Sequence, residues 1–306
     1  MRISPYIIEA LSELGQVKES EPLMHYTTYR TGGPADAIVF PWNNGCVPKV
    51  VRIAAEYGLP LMVIGGGSNL LVGDKGITGI VMRLCEDDSR RADISVLEDG
   101  YVYADAIASK QSFLDFAVSA GFGGAEFMAG IPGCLGGGII MNAGTSEGMF
   151  VDILKDVDIV DYAGDERTQV IDKAMTSYRT MNIGSGNIIT GARFRLARGY
   201  DITDMRRRID EILADRRKKH PLDFPSAGSV FKNPEGYSSW NLIDEAGLKG
   251  TRIGGACVSD LHTNFIINAD NATSQDIKNL VDLVRETVYK KFGITLETEV
   301  KMIGTF

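Results

Sequence analysis

Apolar positions fall into two periods along the chain, and the alternation between them predicts a mixed fold. From Val47 to Gly58, the residues Val47, Val50, Val51, Ala54 and Ala55 sit at helical spacing, and Leu61 to Ile64 follows as a short buried strand. Val81 to Leu84, Val102 to Ile107, Ile153 to Tyr162 and Ile188 to Leu196 read as further strands. Ser112 to Ala120 reads as a helix with Phe113, Leu114, Phe116 and Ala117 inward, and Met1 to Gly15 as an amphipathic helix interrupted by Glu9, Ser12 and Glu13. Beyond Arg198 to Asp201 the pattern changes. Ile202, Met205, Ile209 and Ile212 are spaced 3, 4 and 3 apart, which gives an amphipathic helix ending in the basic run Arg216 to Lys219 before Pro221. A short helix near Trp240 to Ala246, a strand at Asn264 to Asn268 and a long helix from Gln275 to Phe292 complete the chain. Thr273 with Asp276 forms a capping-box pattern and Gly293 supplies the stop. The last segment alternates: Leu296, Val300 and Met302 share one face, Glu297, Glu299 and Lys301 the other. The predicted boundary falls at 199/200, with residues 1–199 themselves split near 80–100 into two α/β parts.

Length and composition narrow the class. The 306 residues are 44% hydrophobic and 24% charged, proportions that bury a sizeable core and exclude a disordered chain. A net charge of −8 opposes broad attachment to nucleic acid or to an anionic membrane, so an anionic ligand needs a local basic pocket. No apolar run reaches the roughly 18 residues of a spanning helix, and a cytoplasmic protein is expected. Cys46, Cys85, Cys134 and Cys257 are scattered, and with three histidines they indicate neither a zinc cluster nor a disulfide framework; ordinary reduced thiols are the reading.

Glycine is the outlier, with 35 residues, ten of them between Gly121 and Gly148. Gly65-Gly66-Gly67-Ser68-Asn69-Leu70 follows a strand directly, and successive amides in such a loop can cradle phosphate oxygens; a tight turn explains the same residues equally well. Neither G-x-G-x-x-G nor G-K-[ST] is present. Gly130-Ile131-Pro132-Gly133-Cys134-Leu135-Gly136-Gly137-Gly138 offers almost no side-chain chemistry, so its use is steric: bare backbone lets a flat ring or a pyrophosphate lie close, with a buried glycine-rich turn as the other reading. Tyr29-Arg30-Thr31-Gly32 puts a guanidinium and hydroxyls beside a glycine turn, and Ser177-Tyr178-Arg179 does so more weakly; singly, surface positions account for both. Ser229, in Gly228-Ser229-Val230-Phe231, is no nucleophile elbow, since the G-x-S-x-G pattern fails at Phe231 and His25, His220 and His262 offer no obvious base. Its hydroxyl could donate a proton only to an acceptor already turning strongly basic. By periodicity Glu299 belongs to a solvated strand face, and capping explains Arg216 to Lys219 as well as ligand binding does.

Taken together, these segments resemble one family, the UDP-N-acetylenolpyruvoylglucosamine reductases (MurB). The matching pieces are Tyr29 to Asp36, Ile64 to Leu71, Glu126 to Gly133, Met141 to Gly144, Ser177 to Arg179, Gly228 to Pro234, Ile253 to Ala256 and Glu299-Val300, in family order over nearly the whole chain. The resemblance implies an α+β chain: an FAD-binding fold of the vanillyl-alcohol-oxidase (PCMH) type, then a C-terminal α/β substrate-binding domain over residues 200–306. It implies non-covalent FAD, NADPH as hydride donor, and a role in peptidoglycan precursor synthesis, hence in cell wall biogenesis, cell shape and division. Hydride passes from NADPH to FAD, then from flavin N5 to C3 of the enolpyruvyl ether of UDP-N-acetylglucosamine, giving UDP-N-acetylmuramate.

Carried over by position, Ser229 is the proton donor to C2, and Glu299 and Arg179 polarise the substrate carboxylate. A glutamate beside a second carboxylate is expected to titrate high enough to donate a hydrogen bond while neutral. FAD falls to Tyr29, Arg30, Thr31, Gly32, Gly65, Gly66, Gly67, Ser68, Asn69, Leu70, Gly130, Ile131, Pro132, Gly133, Gly136 and Gly137; the substrate falls to Tyr178, Lys219 and Asn233, with Lys218 competing for the diphosphate. No metal, nucleic-acid or membrane partner is implied, and a monomer is expected. Three positions depart from the family: Met128 and Cys134 replace residues usually smaller or hydroxylated, and Leu261 precedes His262 where a lysine is common. About 40 residues between Asn233 and Thr273 place the chain in the family's shorter branch. Two other readings remain: an alcohol or sugar-lactone oxidase of the same fold, and a flavin- or nucleotide-sugar-binding protein without catalysis.

Overall fold

The computed structural model describes residues 3–306, so the first two residues of the expected N-terminal helix lie outside it. That helix runs Pro5–Leu14 and is capped by Ser4, whose side chain accepts from the Ile7 N–H. The chain divides into two compact units that are not contiguous in sequence. Ala37–Gly66 and Gly79–Ala214, with the N-terminal stretch through Glu19, form the first; Ser20–Asp36, Gly67–Thr78 and Asp215–Phe306 form the second. The last crossing, at Ala214/Asp215, comes 15 residues after the expected boundary and falls inside the helix Ile202–Lys219.

Two sheets organise the first unit. One has the strand order Gly15–Pro22, Pro34–Pro41, Ile77–Arg83, Leu61–Ile64, with Leu61 to Ile64 paired in parallel to Ile80 to Arg83. The helices Pro5–Leu14 and Val47–Glu56 bury Ile7, Leu11, Val47, Val50, Val51 and Ala54 in the same cluster as Val39, Ile80 and Met82 of its strands. The other sheet is five-stranded and antiparallel, in the order Glu166–Val170, Leu154–Val160, Ile188–Phe194, Val102–Asp105, Ile94–Val96. Its core gathers Phe113 and Phe194, ring centroids 4.5 Å apart, with Phe127, Phe150 and Leu135. Helix Lys110–Ser119 starts two residues earlier than periodicity predicts, because Ser109 caps it by accepting from the Ser112 N–H. Met205 is buried and Ile209 and Ile212 pack against this core, but Ile202, expected inward, is exposed at the helix start.

The second unit has its own core. Arg252–Ile253, Ala256–Val258 and Ile266–Asn268 form an antiparallel sheet. The helix Ser274–Phe292 buries Ile277, Leu280, Val281, Val284 and Val288 in the same cluster as Ala256, Val258 and Ile266. The capping box holds in full, with the Thr273 side chain accepting from the Asp276 N–H and the Asp276 carboxylate from the Thr273 N–H. Asp74 adds a second clamp by accepting from the Ser274 and Gln275 N–H groups at 2.8 and 2.9 Å, which suits the positive end of a helix. Gly293 ends the helix at φ +70°, a left-handed stop that glycine adopts without penalty. The expected terminal strand is short, Lys301–Ile303, and pairs in parallel with Leu70–Val72.

Candidate functional site

In the second unit, backbone hydrogen bonds bring three predicted site segments together. The Val230 carbonyl accepts from the Glu299 N–H at 2.7 Å, Phe231 bridges to Thr298, and the Lys232 N–H donates to the Glu297 carbonyl at 2.9 Å. Ser229 and Glu299 therefore stand on directly paired segments, both half-buried. Glu299 lies outside the terminal strand, so the solvated-face reading gives way to a position fixed on both sides. Its carbonyl accepts from the Asn69 side-chain amide at 3.1 Å, and the next strand residue, Lys301, donates to the Asn69 carbonyl at 2.9 Å. Asn264 locks the serine segment. Its side chain accepts from the Phe231 N–H at 2.9 Å and donates to the Phe231 carbonyl at 2.8 Å, while its carbonyl accepts from the Val230 N–H. Sequence reasoning did not single out Asn264; a buried asparagine two residues after a histidine carries no motif.

The loop carrying Tyr29 to Gly32 belongs to the same unit. The Thr28 N–H donates to the Gly67 carbonyl, and a Cβ on Gly67, at φ +65°, would strike the Tyr26 carbonyl. Only glycine serves there, since the conformation is left-handed and the space is filled by backbone. Tyr29 is fully buried among Leu71, Ala227 and Phe231, and burial pushes its phenol well above the ordinary range, with the Ala227 backbone offsetting this in part. Thr31 is also buried, and its hydroxyl has no hydrogen-bond partner among the described residues. Arg30 is exposed at φ +56°. Ser68 and Leu70 are half-buried.

Lys219 and Asn233 are exposed in this unit. Lys219 pairs with Asp215 at 2.8 Å, and the Asn233 side-chain oxygen accepts from the Ser239 N–H at 3.0 Å, so each already has one structural partner. His220 follows Lys219 and stacks on Phe265 with centroids 5.1 Å apart; His262 meets the same ring edge-on at 5.0 Å. Burial, and then the Arg216 guanidinium, push the His220 imidazole down to about 4.

The remaining predicted residues belong to the first unit. Gly65 and Gly66 lie against the glycine-rich segment: a Cβ on Gly65 would sit 2.6 Å from Cys134 Sγ, and one on Gly66 2.7 Å from Gly133 Cα. Gly130 and Gly133 take φ +70° and +91°. Residues Leu135–Ile140 form a helix through three glycines, although glycine is a poor helix former. Its first turn is anchored instead by the Leu135 and Gly136 N–H groups, which donate to the carbonyls of Ala108 and Ala106. A Cβ on Gly136 would come within 3.2 Å of Ala106 Cβ, whereas one on Gly137 would meet nothing within 4 Å. Gly130, Pro132 and Gly137 are exposed and Ile131 is half-buried, so this segment presents backbone with few side chains. Tyr178 and Arg179 form the turn between Thr176–Ser177 and Thr180–Met181. Arg179 is at φ +56° and half-buried, with its guanidinium 5.1 Å from the exposed Tyr178 ring. No helix among the described residues is long and apolar enough to cross a membrane, and no group of three or more potential metal-ligating side chains occurs among them.

Known proteins resemble this chain over nearly its whole length. Residues 35–169 match a family model described as an FAD binding domain, and residues 220–303 match the UDP-N-acetylenolpyruvoylglucosamine reductase C-terminal domain. The chain is 41% identical to UDP-N-acetylenolpyruvoylglucosamine reductase of Pediococcus pentosaceus over 97% of each chain. It is 38% identical to that of Geobacillus kaustophilus, over 97% of this chain and 96% of the other. The crystal structure of the Thermus caldophilus reductase (MurB) superposes with a TM-score of 0.78 at 32% identity, covering 94% of this chain and 99% of that one. Similarity of this extent shows an α+β fold with an FAD-binding part, and the chain belongs to the UDP-N-acetylenolpyruvoylglucosamine reductases, which are FAD-dependent oxidoreductases.

Proposed function

We propose that this chain, as a cytoplasmic monomer, uses NADPH to reduce the enolpyruvyl ether of UDP-N-acetylglucosamine to UDP-N-acetylmuramate, with Ser229 as proton donor. The observation that carries this reading is the pairing of the serine segment with the Glu299 segment through the Val230 carbonyl, with Asn69 of the glycine loop bonded to Glu299. The residues present fit FAD. Bare backbone at Gly130 to Gly137 leaves room for a flat or phosphorylated group, and the buried Thr31 hydroxyl has no hydrogen-bond partner among the described residues. When bound, FAD supplies the hydride carrier between NADPH and C3 of the enol ether.

The chain's own residues do the rest. Addition at C3 drives negative charge towards the substrate carboxylate, so groups aimed at that carboxylate lower the barrier. Glu299 and Arg179 fill that role. Ser229 then meets a carbon basic enough to take a proton from an unactivated hydroxyl, which removes the need for a histidine base. Lys219, or its neighbour Lys218, binds the substrate diphosphate, and Asn233 and Tyr178 contact the substrate.

The test is direct. Purified protein should show a flavin absorbance that bleaches with NADPH in the absence of oxygen and recovers when the enolpyruvyl sugar nucleotide is added. Absence of bleaching, or recovery with oxygen but not with the sugar nucleotide, would refute the reductase reading.

A further inference from the structure

Lys110 occupies a position that neither its residue type nor the reaction explains. It is the first residue of the helix Lys110–Ser119, where a cation opposes the helix dipole, and lysine is normally solvated. Here it is 4% exposed. Its ammonium donates to the Pro132 carbonyl at 2.8 Å and to the Cys134 carbonyl at 3.3 Å, and its backbone N–H donates to the Gly133 carbonyl at 3.1 Å. One residue thus clasps three successive carbonyls of the glycine-rich segment. Its stem lies over Gly138, where an added Cβ would stand 2.7 Å from Lys110 Cε, so the glycine there makes room for the lysine. On another side the segment meets Gly66, which leaves Gly133 held between that backbone and the Lys110 N–H.

We propose that Lys110 is a positioning residue for the flavin site: by gripping the Pro132 and Cys134 carbonyls it holds the bare backbone from Gly130 to Gly137 in the shape that receives FAD. The proposal rests on the reading that this segment holds FAD. The physical reason for such a device is the segment's composition. Glycine backbone loses the most freedom on ordering, and Gly130 to Gly138 carries few side chains that could pin it. A buried ammonium donating to carbonyls makes stronger bonds than a neutral donor, and losing it strands acceptors away from water. Burial also brings the Lys110 ammonium down to about 8, so its charge is adjustable near neutral pH. The titratable groups around it are the thiols of Cys85 and Cys134 and, at the helix start, the Glu86 carboxylate that accepts from the Ser109 N–H.

The experiment compares wild type with Lys110→Met, which keeps the length of the stem and removes the donors. In apoprotein, amide hydrogen exchange across residues 130–138 should accelerate at least about tenfold, while the strands Leu154–Val160 and Ile188–Phe194 stay protected. FAD titration of the same samples should show affinity weakened by about 10- to 100-fold. In wild type, FAD affinity should fall as pH rises through about 8, and a pH response that persists in Lys110→Met belongs to the neighbouring thiols or Glu86. Unchanged exchange together with unchanged FAD affinity would overturn the proposal. Should Lys110→Met fail to fold, Lys110→Gln, which keeps one neutral donor, takes its place: exchange and FAD affinity both equal to wild type overturn the proposal, and faster exchange with weaker binding supports it. Wild-type apoprotein that takes up no FAD would instead refute the flavin reading, while the exchange comparison still tests the clasp.

Discussion

The two units shape their candidate site segments by opposite means. In the first, the glycine-rich segment works by lacking side chains, and its shape is imposed from outside by Lys110 and by the carbonyls of Ala106 and Ala108. In the second, Ser229 and Glu299 are side chains on segments that fix each other through the Val230 carbonyl and Asn264. The contrast follows the chemistry asked of each. A cofactor needs surface it can approach closely, whereas charge developing on a substrate needs donors and charges held at set positions. Substitutions in the glycine-rich segment should therefore affect cofactor binding, and those at Ser229 and Glu299 turnover.

The largest effect is expected where the contrast is sharpest. Replacing Glu299 with alanine should lower turnover by roughly 10²–10³-fold with FAD content unchanged. Glu299→Gln retains a donor but cannot titrate, so its pH–turnover profile should lose one limb; a profile matching wild type would remove the carboxyl from the mechanism. Next is Asn264→Leu. It strands the buried Phe231 N–H and carbonyl, at a cost of about 2–4 kcal/mol, and loosens the register of Ser229; a denaturant midpoint equal to wild type would show that the lock is unnecessary.

In the first unit, Gly137→Ala should separate affinity from stability. Its Cβ meets open space and alanine favours the helix by up to about 1 kcal/mol, so the melting temperature should hold or rise while FAD affinity drops. Equal FAD affinity would take Gly137 out of the binding surface. The smallest effect concerns His220, whose folded value of about 4 lies below the free imidazole's 6.5. As pH falls from 6.5 towards 4, the unfolded chain takes up a proton that the folded one refuses, so stability should decline across that window. His220→Phe should flatten the decline, as followed by melting temperature against pH.

Local signals were readable in the sequence, and non-local ones were not. The box formed by Thr273 and Asp276, the stop at Gly293 and the helix from Val47 depend on residues within a turn of one another, and the structure has them as expected. The strand Gly15–Pro22 was missed because GQVKESEP is polar and lacks clean alternation, and its pairing is with a segment that begins after residue 33. The grouping of 20–36 and 67–78 with the C-terminal part has the same cause, since contacts across 150 or more residues leave no periodic trace. Helix Leu135–Ile140 runs against propensity and exists through its neighbours. Ser229 and Glu299 were legible as functional only through resemblance, since periodicity left one without a base and put the other in solvent. Lys110 carried no signal in the sequence, where the expected helix begins at Ser112 and leaves it outside.

The central claim is that Ser229 protonates the substrate while the bare glycine segment serves the flavin, and the two half-reactions of Ser229→Ala, followed by rapid mixing, test it most directly. Flavin bleaching by NADPH should proceed within about twofold of wild type, and recovery with the enolpyruvyl sugar nucleotide should slow by roughly 10²–10⁴-fold. Equal slowing of both half-reactions, or of neither, would contradict the account.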